Sequence, residues 1–113
     1  MSHISVSIEN FQKSVLDESH KRLVVLDISA EWCGPCKILD PVIKSVANEY
    51  GDGELLFAKL EAEDENMKIA GQYHVRGFPT VIAFINAEEV GRFHSAQNSD
   101  FVRNFIDTNL EKF

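Results

Sequence analysis

The residues most able to do chemistry are Cys33 and Cys36, the two cysteines of the sequence, which two residues separate. Two thiols at this spacing can close a small disulfide ring if the backbone turns between them, and can then exchange electrons with another disulfide. A structural metal site needs about four ligands, and the histidines are scattered along the chain. An inert structural disulfide would constrain the unfolded chain only modestly across so short a loop. Redox chemistry is therefore the favoured interpretation, with metal binding and a structural disulfide as the alternatives.

The residues around the pair predict that it lies at the start of a helix. Pro35 suits a first helical turn, because its missing N–H would be unpaired there in any case, and Gly34 lets the backbone turn. Cys33 then precedes the helix, where free N–H groups and the helix dipole favour the nucleophilic thiolate. We expect Cys36, inside the first turn, to be the less exposed thiol and to resolve the mixed disulfide that Cys33 forms.

The hydrophobic pattern predicts strands and helices in the order βαβαβαββα. The predicted strands cover residues 4–8, 23–28, 54–60, 80–85 and 90–94. The predicted helices are a short one capped by Asn10, two over residues 33–50 and 67–73, and a last one that Asn98 or Ser99 caps and that runs to Leu110. Helices between the early strands require parallel pairing, and a turn at residues 86–89 makes the last pair antiparallel. A mixed sheet with helices on both faces follows.

Length, composition and charge suit an ordinary globular protein. The chain has 113 residues, of which 44% are apolar and 26% charged, and this predicts one domain over residues 1–113. Its 11 basic and 18 acidic side chains give a formal net charge of −7, which argues against nucleic acid as a partner. The apolar runs at residues 23–26 and 81–85 are too short to cross a membrane, and the first residues do not form a secretory signal. We expect a cytoplasmic protein without a membrane partner.

The run Trp32-Cys33-Gly34-Pro35-Cys36-Lys37, between a predicted strand and a predicted helix, resembles the active-site signature of the thioredoxin family. Further matches are Asp27, Pro41, Lys59 and the run Gly77-Phe78-Pro79-Thr80, so the resemblance covers almost the whole chain. It implies an α/β thioredoxin fold, with a central five-stranded mixed sheet flanked by four helices. It also implies a protein-disulfide reductase that works by dithiol–disulfide exchange. Its partners would be disulfide-containing proteins and, as electron donor, a thioredoxin reductase. No bound cofactor is implied, because the electrons reside on the thiols, and a monomer is the default.

The resemblance implies roles for residues near the thiols. Asp27 interrupts an apolar strand, where it is either a solvated carboxylate or a buried acid whose raised pKa lets it take the proton of Cys36. The family lysine that matches Lys59 lies near this acid and tunes it. The family proline that matches Pro79 follows a cis peptide bond and packs against the cysteine pair.

The same resemblance implies a surface for substrates around Cys33. A flat apolar patch there suits flexible protein disulfides, and the backbone of Phe78 could pair with an extended substrate segment. Gly77 would keep that approach open, and His94 and Ser95 would border the groove. The predicted substrate-binding residues are Trp32, Gly34, Pro35, Gly77, Phe78, Pro79, His94 and Ser95.

Several positions depart from the family pattern. Ser29 stands where the family has a second tryptophan, Ala87 and Ser95 stand where it has glycines, and residues 61–65 form an unusually acidic stretch, interpreted as a solvated loop. These departures leave the chemistry intact but bear on recognition by a thioredoxin reductase.

The departures also leave room for an alternative function, a thioredoxin-like chaperone or assembly subunit with incidental redox activity. A further alternative is an oxidase or isomerase of an oxidising compartment. The resemblance argues against it, because a Gly-Pro pair between the cysteines accompanies a reducing poise in the family.

Overall fold

The computed structural model describes residues 3–113, and in this part of the chain five strands form one mixed sheet. They are β1 (His3–Val6), β2 (Leu23–Ser29), β3 (Leu55–Glu61), β4 (Thr80–Ile85) and β5 (Glu88–His94). Their spatial order is β1-β3-β2-β4-β5. β3 pairs in parallel with β1 and β2, whereas β4 is antiparallel to β2 and β5. The predicted mixed sheet is confirmed.

Three α-helices, one π-helix and two 3₁₀ turns, one of them at Asp64–Asn66, accompany the strands within the described residues. The first helical segment, Gln12–Asp17, is a π-helix, and a 3₁₀ turn, Glu18–His20, follows it directly. The α-helices are α1 (Gly34–Ala47), α2 (Met67–Gln72) and α3 (Ser99–Leu110). Between residues 3 and 113, none of these helices is long and apolar enough to span a membrane.

The central strand β2 is buried along its whole length, as expected of a strand covered on both faces. Its alternate side chains enter two separate cores. Leu23 and Val25 pack with residues of α1 and α3, on a side that we call the α1 face. Val24 and Leu26 pack on the other face, with residues of the first helical segment and α2.

The α1 face changes from apolar to polar along β2 and β3. Side chains two apart share a face of a strand, so Asp27 and Ser29 continue the apolar row of β2. Lys59 and Glu61 do the same on β3. The strand register pairs Asp27 with Lys59 and Ser29 with Glu61. The sheet therefore brings four polar side chains together near the start of α1.

The beginning of the chain differs from the prediction. β1 ends at Val6, and Ile8 instead donates its N–H to Asn66 Oδ1 at 2.8 Å. Asn10 does not cap the first helical segment. Its Oδ1 accepts the N–H of Ser7 at 2.7 Å, so the side chain is already engaged by the turn that precedes the segment.

Several other element ends also differ from the prediction, and β2 runs to Ser29 instead of Ile28. α1 ends at Ala47 instead of Tyr50. Tyr50 is nevertheless packed against the core of the α1 face, and its hydroxyl donates to Asp107 at 2.6 Å. Tyr50 therefore continues the three- and four-residue spacing of the apolar helix residues because it packs against the core, although it lies beyond the end of the helix. α2 ends at Gln72 instead of Tyr73. β3 extends to Glu61, which therefore belongs to the sheet and not to a solvated loop.

The hairpin between β4 and β5 is tighter than predicted. The turn contains only Asn86 and Ala87, and β5 already begins at Glu88. Both turn residues have positive φ, 51° at Asn86 and 67° at Ala87. Such a two-residue turn matches the twist of antiparallel strands. Asn tolerates this conformation, but Ala, which stands where the thioredoxin family has glycine, adopts it at a cost.

Candidate active site

Cys33 and Cys36 form a disulfide at the amino end of α1, with their Cα atoms 5.3 Å apart. Cys33 is the N-cap residue of the helix, and its Sγ accepts a hydrogen bond from the N–H of Cys36 at 3.2 Å. The predicted small ring and its place at the helix start are confirmed. Among residues 3–113, no group of three or more His, Cys, Asp or Glu side chains is placed to hold a metal ion.

The two sulfur-bearing residues are almost equally buried, which corrects the expected difference in exposure. Cys33 is 4% exposed and Cys36 3%. Phe78 packs against the cluster that the two cysteines form with Ala30. In the disulfide form this packing shields the pair from one side, so position before or inside the helix does not by itself decide exposure.

The surface beside the disulfide carries the predicted aromatic residues. The Phe78–Pro79 peptide bond is cis, as the resemblance implies. The ring of Trp32 meets Phe78 edge to face, with centroids 5.8 Å apart, and 78% of Trp32 is exposed. Gly34 and Pro35 are exposed as well. A solvent-facing apolar ring thus lies directly beside the bonded cysteines.

A groove of about 430 Å³ brings together the other predicted substrate-binding residues. Two of the segments that line the groove are joined by a backbone hydrogen bond, in which the Ser95 N–H donates to the Pro79 carbonyl at 3.1 Å. Ser95 has a φ of 72°, so it occupies a backbone conformation that glycine adopts most easily. The groove is lined by Gly77, Phe78, Pro79, His94 and Ser95, and also by His74, Arg76 and Arg92, which the sequence analysis did not single out.

Asp27 is completely buried, so the alternative of a solvated carboxylate is wrong. No donor among the described residues forms a hydrogen bond with either of its carboxylate oxygens. Burial raises the pKa of Asp27 from 3.8 to about 7, and the nearby positive charge of Lys59 opposes this shift only in part. A carboxyl group with this pKa exchanges protons readily near neutral pH.

Lys59 lies beside Asp27 in the strand register but directs its ammonium towards α1. Its Nζ lies 3.0 Å from Asp40 Oδ1 and 3.6 Å from Glu61 Oε1. The other oxygen of Asp40 lies 3.0 Å from Lys44 Nζ. Burial opposes the charge of Asp40, but the hydrogen bonds from Lys44 and Lys59 outweigh it and lower the pKa of Asp40.

A cavity of about 240 Å³, lined mostly by polar residues, connects this ion-pair network to Cys36. Cys36, Asp40, Lys59 and Glu61 all line it, as does Ser29. Sequence reasoning missed Asp40 as a site residue. A signal was present, because Asp40 follows Cys36 by four residues, and residues at this spacing share a helix face.

Proteins of one known family match nearly the whole chain in sequence. The sequence model of the thioredoxin family matches residues 2–108. A thioredoxin of Chlorobaculum thiosulfatiphilum is 37% identical over 102 residues, which are 90% of this chain and 91% of that protein. A thioredoxin of Acidithiobacillus ferridurans is 40% identical over 101 residues, with 86% of this chain and 90% of that protein covered.

A solved structure supports the same family assignment. The crystal structure of a reduced thioredoxin pre-protein from Schistosoma mansoni matches with a TM-score of 0.82 at 30% sequence identity, covering 96% of this chain and 98% of that one. The predicted thioredoxin fold is confirmed. Proteins of this family exchange electrons with disulfide substrates and with a reductase. The chain therefore belongs to the thioredoxin family and is a thiol–disulfide oxidoreductase with its cysteine pair at Cys33 and Cys36.

Proposed function

We propose that this thioredoxin reduces protein disulfides, with Cys33 as the attacking nucleophile, Cys36 as the resolving thiol and Asp27 as the proton carrier. One observation carries the proposal: Cys33 caps the amino end of α1 with the sulfur of Cys36 within bonding distance. A thiolate at this position is stabilised by the helix dipole and by unpaired N–H groups.

The first step is attack of the Cys33 thiolate on one sulfur of the substrate disulfide. A new bond joins Cys33 Sγ to that sulfur, the substrate S–S bond breaks, and the second sulfur leaves as a thiolate that takes a proton from solvent. The N–H of Cys36, which points at Cys33 Sγ, stabilises the attacking anion before the bond forms.

The second step is attack of Cys36 on Cys33 Sγ. The Cys36 thiol gives its proton to the Asp27 carboxylate, and the resulting thiolate displaces the remaining substrate sulfur. The products are a reduced substrate and the Cys33–Cys36 disulfide, so two electrons have moved from the dithiol to the substrate. A pKa of Asp27 near 7 supports this role. Lys59, beside Asp27 in the sheet, tunes the proton affinity of that acid.

Substrates dock across the aromatic surface and the adjoining groove. The exposed ring of Trp32 and the ring of Phe78 offer apolar contacts. An extended substrate segment pairs with the backbone of Phe78, beside Gly77, and passes along His94 and Ser95 in the groove. An open surface of this kind suits disulfides in flexible protein segments better than one small molecule.

The proposed partners are disulfide-containing proteins and a thioredoxin reductase that returns the pair to the dithiol. A formal net charge of −7 supports protein partners over nucleic acid. We also propose a monomeric state and a cytoplasmic location. The reducing environment of the cytoplasm keeps Cys33 and Cys36 in the dithiol form, ready for another cycle.

The test is NADPH oxidation in a mixture of the protein, a thioredoxin reductase and insulin as the disulfide substrate. The unmodified protein should turn over, and Cys33→Ser should abolish turnover. Cys36→Ser should accumulate a mixed disulfide, seen as a mass increase that dithiothreitol removes. A parallel assay with dithiothreitol as electron donor separates loss of reductase recognition from loss of chemistry.

Full turnover by Cys33→Ser would contradict the assigned roles. A Cys33→Ser/Cys36→Ser variant that binds its partners normally, while the unmodified protein reduces no insulin with either donor, would instead favour the chaperone or assembly subunit.

A further inference from the structure

We propose that Asp40 is a positioning residue of the active site, because it holds the Lys59 ammonium away from Asp27 and so keeps Asp27 ready to accept the proton of Cys36. The inference rests on the proton-carrier role proposed above for Asp27. It goes further by assigning control of that role to a carboxylate on α1 that belongs to no recognised signature of the chain.

The ammonium of Lys59 points away from Asp27, its neighbour in the sheet. Asp27 and Lys59 are register partners on adjacent parallel strands and share the α1 face, so a flexible lysine side chain can reach its neighbour across the sheet. Its ammonium instead lies 3.0 Å from Asp40 Oδ1. Both oxygens of Asp27 are buried and accept no hydrogen bond from residues 3–113. Asp27 and Asp40 thus compete for the same ammonium, and Asp40 holds it.

Asp40 is well placed to win this competition. Its side chain is 21% exposed, so it stays more hydrated than Asp27 and keeps its charge more easily. Its Oδ2 is held by Lys44, one helical turn further along α1, which leaves Oδ1 directed at Lys59. Glu61 contacts the same ammonium at 3.6 Å with a more exposed side chain, so we assign it the weaker hold.

The charges around Asp27 come from two elements. β3 contributes Lys59 and Glu61, and α1 contributes Asp40 and Lys44. On β4 the register partner of Asp27 is Val81, which carries no charge. Neutralising Asp40 removes one negative charge from this group and frees Lys59 to turn towards Asp27. Both changes favour the ionised form of Asp27, so both lower its pKa.

The consequence for turnover concerns the resolving step. A carboxylate with a lower pKa is a weaker base towards the Cys36 thiol. The pH profile of mixed-disulfide release should therefore move to lower pH when Asp40 is neutralised, and release at neutral pH should slow. A residue that only supported the fold would leave the profile in place.

The experiment is a carboxyl ¹³C NMR titration of Asp27 in the oxidised protein. Neither cysteine titrates in that form, so the readout is independent of reductase recognition and of the catalytic roles. Asp40→Asn should lower the Asp27 midpoint by about one pH unit, whereas Asp40→Glu should stay near the unmodified value. Glu31→Gln is the matched control, because Glu31 lines the same cavity but is not among the groups that perturb Asp27. It should leave the midpoint in place.

A double variant tests the route through Lys59. In a Lys59→Met background, Asp40→Asn retains only its direct effect on Asp27, so its shift should be clearly smaller. An unchanged midpoint in Asp40→Asn, or an equal shift with and without Lys59, would overturn the proposal. If Asp40→Asn folds poorly, Asp40→Ala, which improves helix propensity, provides the same readout. Slow resolution with an unmoved midpoint would count against Asp40 while leaving the proton-carrier role of Asp27 intact.

Discussion

Asp27 and Lys59 are partners in the parallel register of β2 and β3, yet the lysine forms its 3.0 Å ion pair with Asp40 on α1. The carboxylate oxygens of Asp27 therefore accept no hydrogen bond from Lys59, and burial raises the pKa of this acid to about 7. The same arrangement that makes Asp27 a usable base near neutral pH makes its charged form costly in the folded protein. Activity and stability thus place opposite demands on this carboxyl group.

Asp27→Asn should stabilise the protein at alkaline pH. Because the folded pKa of about 7 exceeds the ordinary 3.8, the folded state holds a proton that the unfolded state releases between these values. The contribution of Asp27 to stability therefore falls as pH rises from about 4 to 7, by about 4 kcal/mol in all. Removing the carboxyl should raise the free energy of unfolding by about 2–4 kcal/mol at pH 8 and by less than about 1 kcal/mol at pH 4.

Urea unfolding at both pH values measures this difference. Glu111→Gln removes the same charge from an exposed site near the carboxyl end and controls for net charge. An equal gain for Asp27→Asn at pH 4 and pH 8 would show that the cost of Asp27 does not come from its ionisation.

Ala87→Gly should stabilise the β4–β5 hairpin. Ala87 has a φ of 67°, a conformation that costs a residue with a Cβ about 1–2 kcal/mol, while glycine loses more entropy on folding. We expect a net gain of about 0.5–1 kcal/mol in the free energy of unfolding, measured with urea. Ala96→Gly, at a half-buried position without positive φ, should lower stability. A loss in both variants would argue against backbone strain at Ala87.

Trp32→Ala should weaken the docking of protein substrates without affecting the folded state. The side chain is 78% exposed and touches Phe78, so little of the core depends on it. We expect KM for insulin to rise about tenfold, with reduction of a small aromatic disulfide nearly unchanged. Phe113→Ala removes another exposed aromatic ring and should change the reduction of neither substrate. Equal losses on both substrates would place the effect of Trp32 in the chemistry instead of in docking.

Gly91→Ala should destabilise the contact between β5 and α3. A Cβ at this position would come within 2.9 Å of Asn109 Oδ1. Asn109 is 2% exposed, and its Nδ2 donates to the Phe105 carbonyl at 2.8 Å, so the side chain has little freedom to move. A loss of about 1–3 kcal/mol is expected in thermal unfolding.

The double variant Gly91→Ala/Asn109→Ala identifies the cause of that loss. If the Cβ contact is responsible, the second substitution relieves it, and the two effects are less than additive. Additive losses would mean that the cost of Gly91→Ala arises elsewhere in the strand.

Several features that depend on a few neighbouring residues were predicted correctly from the sequence, although the cap by Asn10 was not. The place of Cys33 before α1 follows from the glycine and proline that succeed it, and Asn98 caps α3 with a side chain that accepts the N–H of Phe101. The burial of β2 follows from its continuous apolar run. Exact ends were harder, because Tyr50 is packed like a helical residue and Ala87 adopts a turn conformation that alanine rarely takes.

What the sequence by itself determined is the chemistry of the cysteine pair, because the ring, the helix start and the thiolate-stabilising N–H groups all lie within one local segment. Only the tertiary structure decided the environment of that pair. Strand register places Lys59 beside Asp27, helix packing brings Asp40 to the Lys59 ammonium, and a loop distant in sequence packs Phe78 against the cluster that contains the two cysteines. These contacts join residues far apart in the chain, and their energies depend on burial, which no local pattern encodes.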